Sequence, residues 1–167
     1  VPVVIWVTSP FICSLFNVKV KNYHLDPQLM LKTQLALQRE FPQAMLLPGI
    51  FADFGTAVEP SSFGCETVWF KNDPPYVKPA IKSLHDIVHL KLVNSKKDGL
   101  MPRALEMYRY FWNNLDKRYI EDYGYLDGIA FSMGPVETAG LIMGYDNFLI
   151  SLYDHPYLIH KLLNVVT

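Results

Sequence analysis

The feature that most constrains the fold is an apolar run that ends on an acid. Ala44-Met45-Leu46-Leu47 continues past Pro48 into Gly49-Ile50-Phe51-Ala52, and Asp53-Phe54-Gly55 follows. A run of this length bounded by Pro and Gly reads as a buried strand, here over residues 45–52. A carboxylate just past the carboxyl end of a parallel strand stands where α/β folds build their sites. Asp53 is therefore the candidate catalytic residue. The competing reading is that Asp53 only shapes a turn ahead of Gly55.

The flanking chain fits a β-α-β unit. Residues 2–7 are apolar and β-branched, a first buried strand that Thr8-Ser9-Pro10 ends. Asp26-Pro27 opens a helix, with Asp as the N-cap and Pro at the first helical position. Met30, Leu31, Leu35, Leu37 and Phe41 form its apolar face, and Pro42 closes it. Such a crossover is right-handed and its two strands are parallel.

Residues 64–79 are rich in turn formers around the extended piece Glu66-Thr67-Val68-Trp69-Phe70, which predicts a small hairpin or excursion. Asp73-Pro74-Pro75 cannot be helical. Ser83 caps a short helix reaching about Leu90, and residues 91–99 are a polar linker. Pro102 starts a helix over 104–119, with Leu105, Tyr108, Phe111, Trp112 and Leu115 on its buried side. Residues 126–132 read as the third strand, turned by Gly134-Pro135 into a helical piece over 138–143. Asp146 caps a helix over 147–153, and Pro156 starts the last one.

Composition excludes several classes of protein. Half of the 167 residues are hydrophobic and 19% are charged, which rules out a disordered chain. The net charge is -1 and no basic cluster is present, so nucleic acid is not an expected partner. No apolar stretch approaches the roughly 20 residues of a membrane span. The apolar N-terminus has no preceding positive region and reads as a strand, not a signal peptide. Cys13 and Cys65 are too few for a disulfide framework, which suits a reducing, cytoplasmic setting. The chain has no initiator methionine, begins on a strand and ends within a helical pattern, so both ends read as cut.

Periodicity alone leaves a flavodoxin-like open sheet and part of a barrel both open, and no Gly-x-Gly-x-x-Gly follows a strand. Four ordered segments favour the barrel. They are Phe51-Ala52-Asp53, then Val58-Glu59 through Phe63-Gly64-Cys65-Glu66, then Gly134-Pro135-Val136-Glu137-Thr138-Ala139-Gly140, and Tyr153-Asp154-His155-Pro156 through His160-Lys161-Leu162-Leu163. With these the chain resembles the uroporphyrinogen decarboxylase superfamily, which includes corrinoid and coenzyme M methyltransferases. The resemblance implies an α/β fold, part of a (β/α)8 TIM barrel with about three β-α units and parallel strands. A full barrel takes about 250 residues. The expectation is therefore one domain over 1–167, the N-terminal half of such a barrel.

The resemblance also carries functional expectations. In the decarboxylases of the family a strand-end Asp at the position of Asp53 binds the pyrrole N–H groups of a porphyrin precursor. Charge-assisted hydrogen bonds of that kind are strong in a dry pocket. Those decarboxylases also carry an arginine-rich loop after the first strand, where this chain has Thr8-Ser9-Pro10-Phe11-Ile12-Cys13. A polyanionic substrate loses its bidentate partners there. Their tyrosine after the third strand is replaced at about Leu141.

The methyltransferase branch is the better match. It implies methyl transfer between a corrinoid and a thiol or a methylated small molecule, with zinc lowering the thiol pKa. In the family the zinc ligands, a His-x-Cys pair and a later Cys, lie in the second half of the barrel, so no metal ligand is assigned in this chain. The expected partners are a small-molecule substrate and a corrinoid protein, with a dimer left open. The remaining alternatives are uroporphyrinogen decarboxylation and a non-catalytic half-barrel that serves as an interaction module.

Further candidates surround Asp53. Glu59 and Glu137 follow the second and third strands and are candidate substrate-binding residues; as helix-start carboxylates they would instead serve the helix dipole. Ser132 and Met133 end the third strand and are candidate pocket residues. Cys65 reads as a small core residue. His24, His85, His89, His155 and His160 have no metal-ligand spacing with a Cys or Glu. His85 and His89 share a helical spacing, but Asp86-Ile87-Val88 between them lacks the glutamate of a His-Glu-x-x-His site.

Overall fold

A computed structural model describes residues 4–47, 49–123 and 132–167. They fall into two compact units. The first is Val1–Phe54 with Trp69–Pro74 and Arg103–Phe131, and the second is Gly55–Val68 with Pro75–Pro102 and Ser132–Thr167.

The first unit opens with the expected crossover. Strand β1 (Val4–Trp6) pairs in parallel with β2 (Met45–Leu47), Val4 opposite Met45 and Trp6 opposite Leu47. The connection holds three helices, α1 (Ser9–Leu15), α2 (Val20–Leu25) and α3 (Pro27–Glu40). The α3 start is as read. Asp26 Oδ1 accepts from Gln28 N at 2.9 Å and Leu29 N at 3.1 Å, with Pro27 in the first turn. An N-cap of this kind contributes about 1 kcal/mol.

Several expectations are corrected here. Residues 8–13 are not a loop; Pro10 lies in the first turn of α1, where its missing N–H costs nothing. Strand β2 ends at Leu47 rather than at residue 52. The strands are not buried, since Ile5, Trp6, Met45 and Leu47 are all exposed, the flank of a two-stranded sheet having little to cover it. On α3 Met30, Leu31 and Leu37 are buried, but Phe41 is exposed beyond the helix end.

The helix from Met101 breaks into α5 (Met101–Asn114) and α6 (Lys117–Tyr123). Its buried residues are Ala104, Met107 and Phe111, while Trp112 is 64% exposed. The aromatic run Tyr108–Trp112 offers apolar side chains all around the helix, so periodicity does not choose the inward face.

The second unit contains α4 (Val58–Ser62) and the antiparallel pair β3 (Glu66–Val68) and β4 (Tyr76–Lys78), the predicted hairpin. A 3-10 turn over Leu84–His89 is capped by Ser83 in a reciprocal box with Asp86, so the short helix foreseen there is the tighter kind. Helices α7 (Pro135–Met143), α8 (Tyr145–Asp154) and α9 (Pro156–Val166) complete it. Helix α8 is capped by Gly144 at φ +79°, not by Asp146, which lies in the first turn where its charge suits the helix dipole. The core joins Ala57, Cys65, Val77 and Ile81 to Ala139, Ile142, Met143, Phe148, Ile159 and Leu162. Cys65 is thus the core residue expected. The third strand proposed over 126–132 lies outside the described residues but for Ser132, which is not in a strand. No helix among the described residues is long and apolar enough to cross a membrane.

Candidate functional site

Asp53 lies in the first unit, 5% exposed. The segment Phe51–Asp53 is held by side chains of α2 and α3. Gln34 Oε1 accepts from Phe51 N at 3.0 Å, and Gln34 Nε2 donates to Phe51 O at 2.9 Å. One amide thus satisfies both backbone groups of Phe51, as a neighbouring strand would. Gln34 Nε2 also donates to the Tyr23 hydroxyl oxygen at 2.8 Å.

His24 Nδ1 lies 2.7 Å from the backbone oxygen of Asp53. A carbonyl only accepts, so Nδ1 carries the proton. The same nitrogen is 3.9 Å from Asp53 Oδ1, and Asp53 N donates to Met30 Sδ at 3.4 Å. His24 is fully buried, and its Nε2 has no hydrogen-bond partner among the described residues.

Burial first and the Asp53 carboxylate second set the electrostatics of the cluster. The Cys13 thiol is pushed up to about 11, chiefly by burial and then by the Asp53 charge. Burial, followed by that same charge, raises the Tyr23 phenol well above its ordinary range, a hydrogen bond from Gln34 opposing them. Both groups are therefore neutral at physiological pH. Cys13 is an unactivated thiol despite its place beside the site.

The other sequence-predicted residues belong to the second unit. Glu59 lies in the first turn of α4, 9% exposed, and accepts from Met133 N at 3.1 Å. The structure thus brings Glu59 and Met133 together. Ser132 is exposed. Glu137 lies in the first turn of α7 and accepts from the Tyr145 hydroxyl. The Tyr145 ring crosses α7 at Gly140, where a Cβ would stand 2.6 Å from Tyr145 Cε1. Burial and the Glu137 carboxylate raise the Tyr145 phenol above its ordinary range. Both glutamates are thus helix-start carboxylates, and Glu59 is a buried one.

A cleft of about 310 Å³ in this unit is lined by Lys82, Ser83, Asn147, Ser151, Asp154 and His155 among others, and by none of the predicted residues. Its volume does not make it the site, because no buried acid or base faces it. Among the described residues no three His, Cys, Asp or Glu side chains converge to hold a metal ion.

Tyr23, His24 and Gln34 were not singled out by sequence reasoning. Gln34 did leave a signal, since it falls on the α3 face between Met30 and Leu37, a polar side chain in an apolar stripe. Tyr23 and His24 left none, because α2 has only six residues.

A parallel β-α-β opening with a buried carboxylate beyond its second strand defines an α/β chain, consistent with part of a TIM barrel. The chain belongs to the uroporphyrinogen decarboxylase family; the family model described as Uroporphyrinogen decarboxylase (URO-D) matches residues 10–167. Among solved structures it is similar to a methyltransferase from Methanosarcina mazei, with a TM-score of 0.65 and 20% identity over 99% of this chain. The chain spans about half of that structure, 47% of its length. No curated protein matches it.

Proposed function

We propose that the protein containing this chain is a methyltransferase-like member of the family, moving a methyl group between a corrinoid and a thiol or methylated small molecule. The observation that carries this reading is the segment after β1. It is the helix α1, with Ile12 and Cys13 buried and no arginine, where the decarboxylases of the resemblance place their carboxylate-binding arginines. The fold shared with the Methanosarcina methyltransferase supports it.

In this reading Asp53 is the catalytic residue of the chain. Its carboxylate accepts the hydrogen bond, or the proton, of the S–H, N–H or O–H group that receives the methyl. A corrinoid, when bound, supplies the methyl. Glu59, Ser132, Met133 and Glu137 are proposed to contact substrate. The described residues offer no donor set for zinc, so no step is derived through that ion.

The test is loss of methylcobalamin absorbance on incubation of the purified protein with a thiol, with and without added zinc. Turnover is expected, and Asp53→Asn is expected to slow it by about 10²-fold or more, the usual weight of a proton-transfer group. Absence of turnover with zinc present overturns the reading. A second reading, uroporphyrinogen decarboxylation, is favoured by the buried Asp53 at the family's pyrrole-binding position. Release of carbon dioxide from uroporphyrinogen would establish it instead.

A further inference from the structure

His24 is an expensive residue for its place. The ring is fully buried in the last turn of the six-residue helix α2, and its Nε2 has no hydrogen-bond partner among the described residues. A buried acceptor of that kind costs free energy, and a leucine would fill much of the same space without it. What the imidazole adds over a leucine is its Nδ1–H group. That group donates to the Asp53 backbone oxygen at 2.7 Å, and the same nitrogen is 3.9 Å from Asp53 Oδ1. The neighbouring ring holds the imidazole in this attitude. Tyr23 stands edge-on to it with centroids 5.1 Å apart, and the Tyr23 hydroxyl oxygen accepts from Gln34 Nε2 at 2.8 Å.

One N–H dipole thus lies close to two oxygens of a single residue. Its positive end favours the rotamer that keeps Oδ1 near and disfavours those that swing the carboxylate away. At 3.9 Å the contact with Oδ1 is too long for a hydrogen bond, so the hold on the carboxylate is electrostatic while the hold on the main chain is direct. We infer that His24 is a positioning residue for Asp53, its Nδ1–H fixing the main-chain oxygen and setting the side on which the carboxylate lies. The inference rests on the reading that Asp53 carries the chemistry of the site. It adds a requirement on one atom: a donor must stand at the Nδ1 position, and Nε2 is dispensable.

The experiment compares His24→Leu with His24→Asn in the protein containing this chain, taking kcat and KM from the methylcobalamin assay. Leucine keeps most of the bulk and removes the donor. Asparagine is smaller, but it sets an amide N–H where Nδ1–H stood and removes Nε2. His24→Leu is expected to lower kcat about 10- to 100-fold, the order expected of a misplaced catalytic group. KM for methylcobalamin should stay as it was, since Asp53 is read as holding the methyl acceptor. His24→Asn is expected to recover most of the lost kcat, whereas a residue needed only for bulk would leave the smaller asparagine the worse variant. Equal losses in the two folded variants, or no loss in His24→Leu, overturn the inference even while Asp53→Asn slows methyl transfer. If His24→Leu does not fold, His24→Asn is judged with nitrogen NMR of the histidine-labelled native protein. The His24 proton is expected on Nδ1; a proton on Nε2 overturns the inference, because the ring then has no hydrogen to give to Asp53. If Asp53→Asn keeps full activity, the reading of Asp53 fails. The inference fails with it, since a frame around an idle carboxylate positions nothing.

Discussion

The two units of the chain are held together by different means. In the second, an apolar core runs from Val77 on β4 to Ile142 on α7 and Leu162 on α9, and the buried polar side chains described are Glu59, Thr138 and Ser151. In the first, the interior carries Tyr23, His24, Thr33, Gln34 and Asp53, all at most 5% exposed. An apolar interior stabilises through area removed from water and is indifferent to direction. A polar interior contributes little net stability, but it fixes where each donor points. The difference teaches where to look for chemistry. The backbone of Phe51–Asp53 is held by the side chains of Gln34 and His24, whereas the acids Glu59 and Glu137 of the second unit stand in the first turns of helices.

Truncation tests the apolar half of that contrast most severely. Leu162 is fully buried in the second unit's core. Leu162→Ala is expected to cost about 2–5 kcal/mol in denaturant unfolding, the usual sum of lost transfer and cavity. A loss below about 1 kcal/mol would mean that the site collapses freely and that the core is not close-packed.

The polar half is tested by a change that adds hydrophobicity. Gln34→Met keeps length and volume, and on a purely apolar account it should be neutral or stabilising. It removes the partners of Phe51 N, Phe51 O and the Tyr23 oxygen together. We expect a loss of about 1–3 kcal/mol from buried groups left unpaired. Unchanged stability would erase the distinction between the units.

Much of the fold was legible because its signals are local. Asp26-Pro27, Ser83 with Asp86, Pro135 and Pro156 each mark a helix start with chemistry confined to one turn. The hairpin over residues 66–78 was legible from its bounding turns. What was not legible depends on partners distant in sequence. Thr8-Ser9-Pro10 has the composition of a strand end and of a helix start alike, and α1 follows it. The face of α5 could not be chosen because its aromatic residues point all round. Asp53 was visible as an acid after an apolar run, but its frame was not, since Gln34 and Phe51 are 17 residues apart and His24 and Asp53 are 29 apart.

The smallest expected effect reads the Asp53 charge from a neighbour. Cys13 is raised from an ordinary 9.0 to about 11, by burial first and the Asp53 carboxylate second. Its folded pKa lies above its unfolded one, so its contribution to stability is full below pH 9 and is lost as the pH climbs from 9 to about 11. Cys13→Ala should flatten unfolding stability across that window. It should leave the loss above pH 10, where the raised phenols of Tyr23 and Tyr145 act in the same direction. Alkylation of the Cys13 thiol, followed against pH, separates the two causes. Asp53→Asn should bring its midpoint down from about 11 only part of the way toward 9.0, because burial remains. A return all the way would make charge the larger cause, and an unmoved midpoint would leave the carboxylate without influence on the side chain beside it. The second result would remove the electrostatic ground for treating this unit's polar interior as built around Asp53, and the first would reverse the order of the two causes.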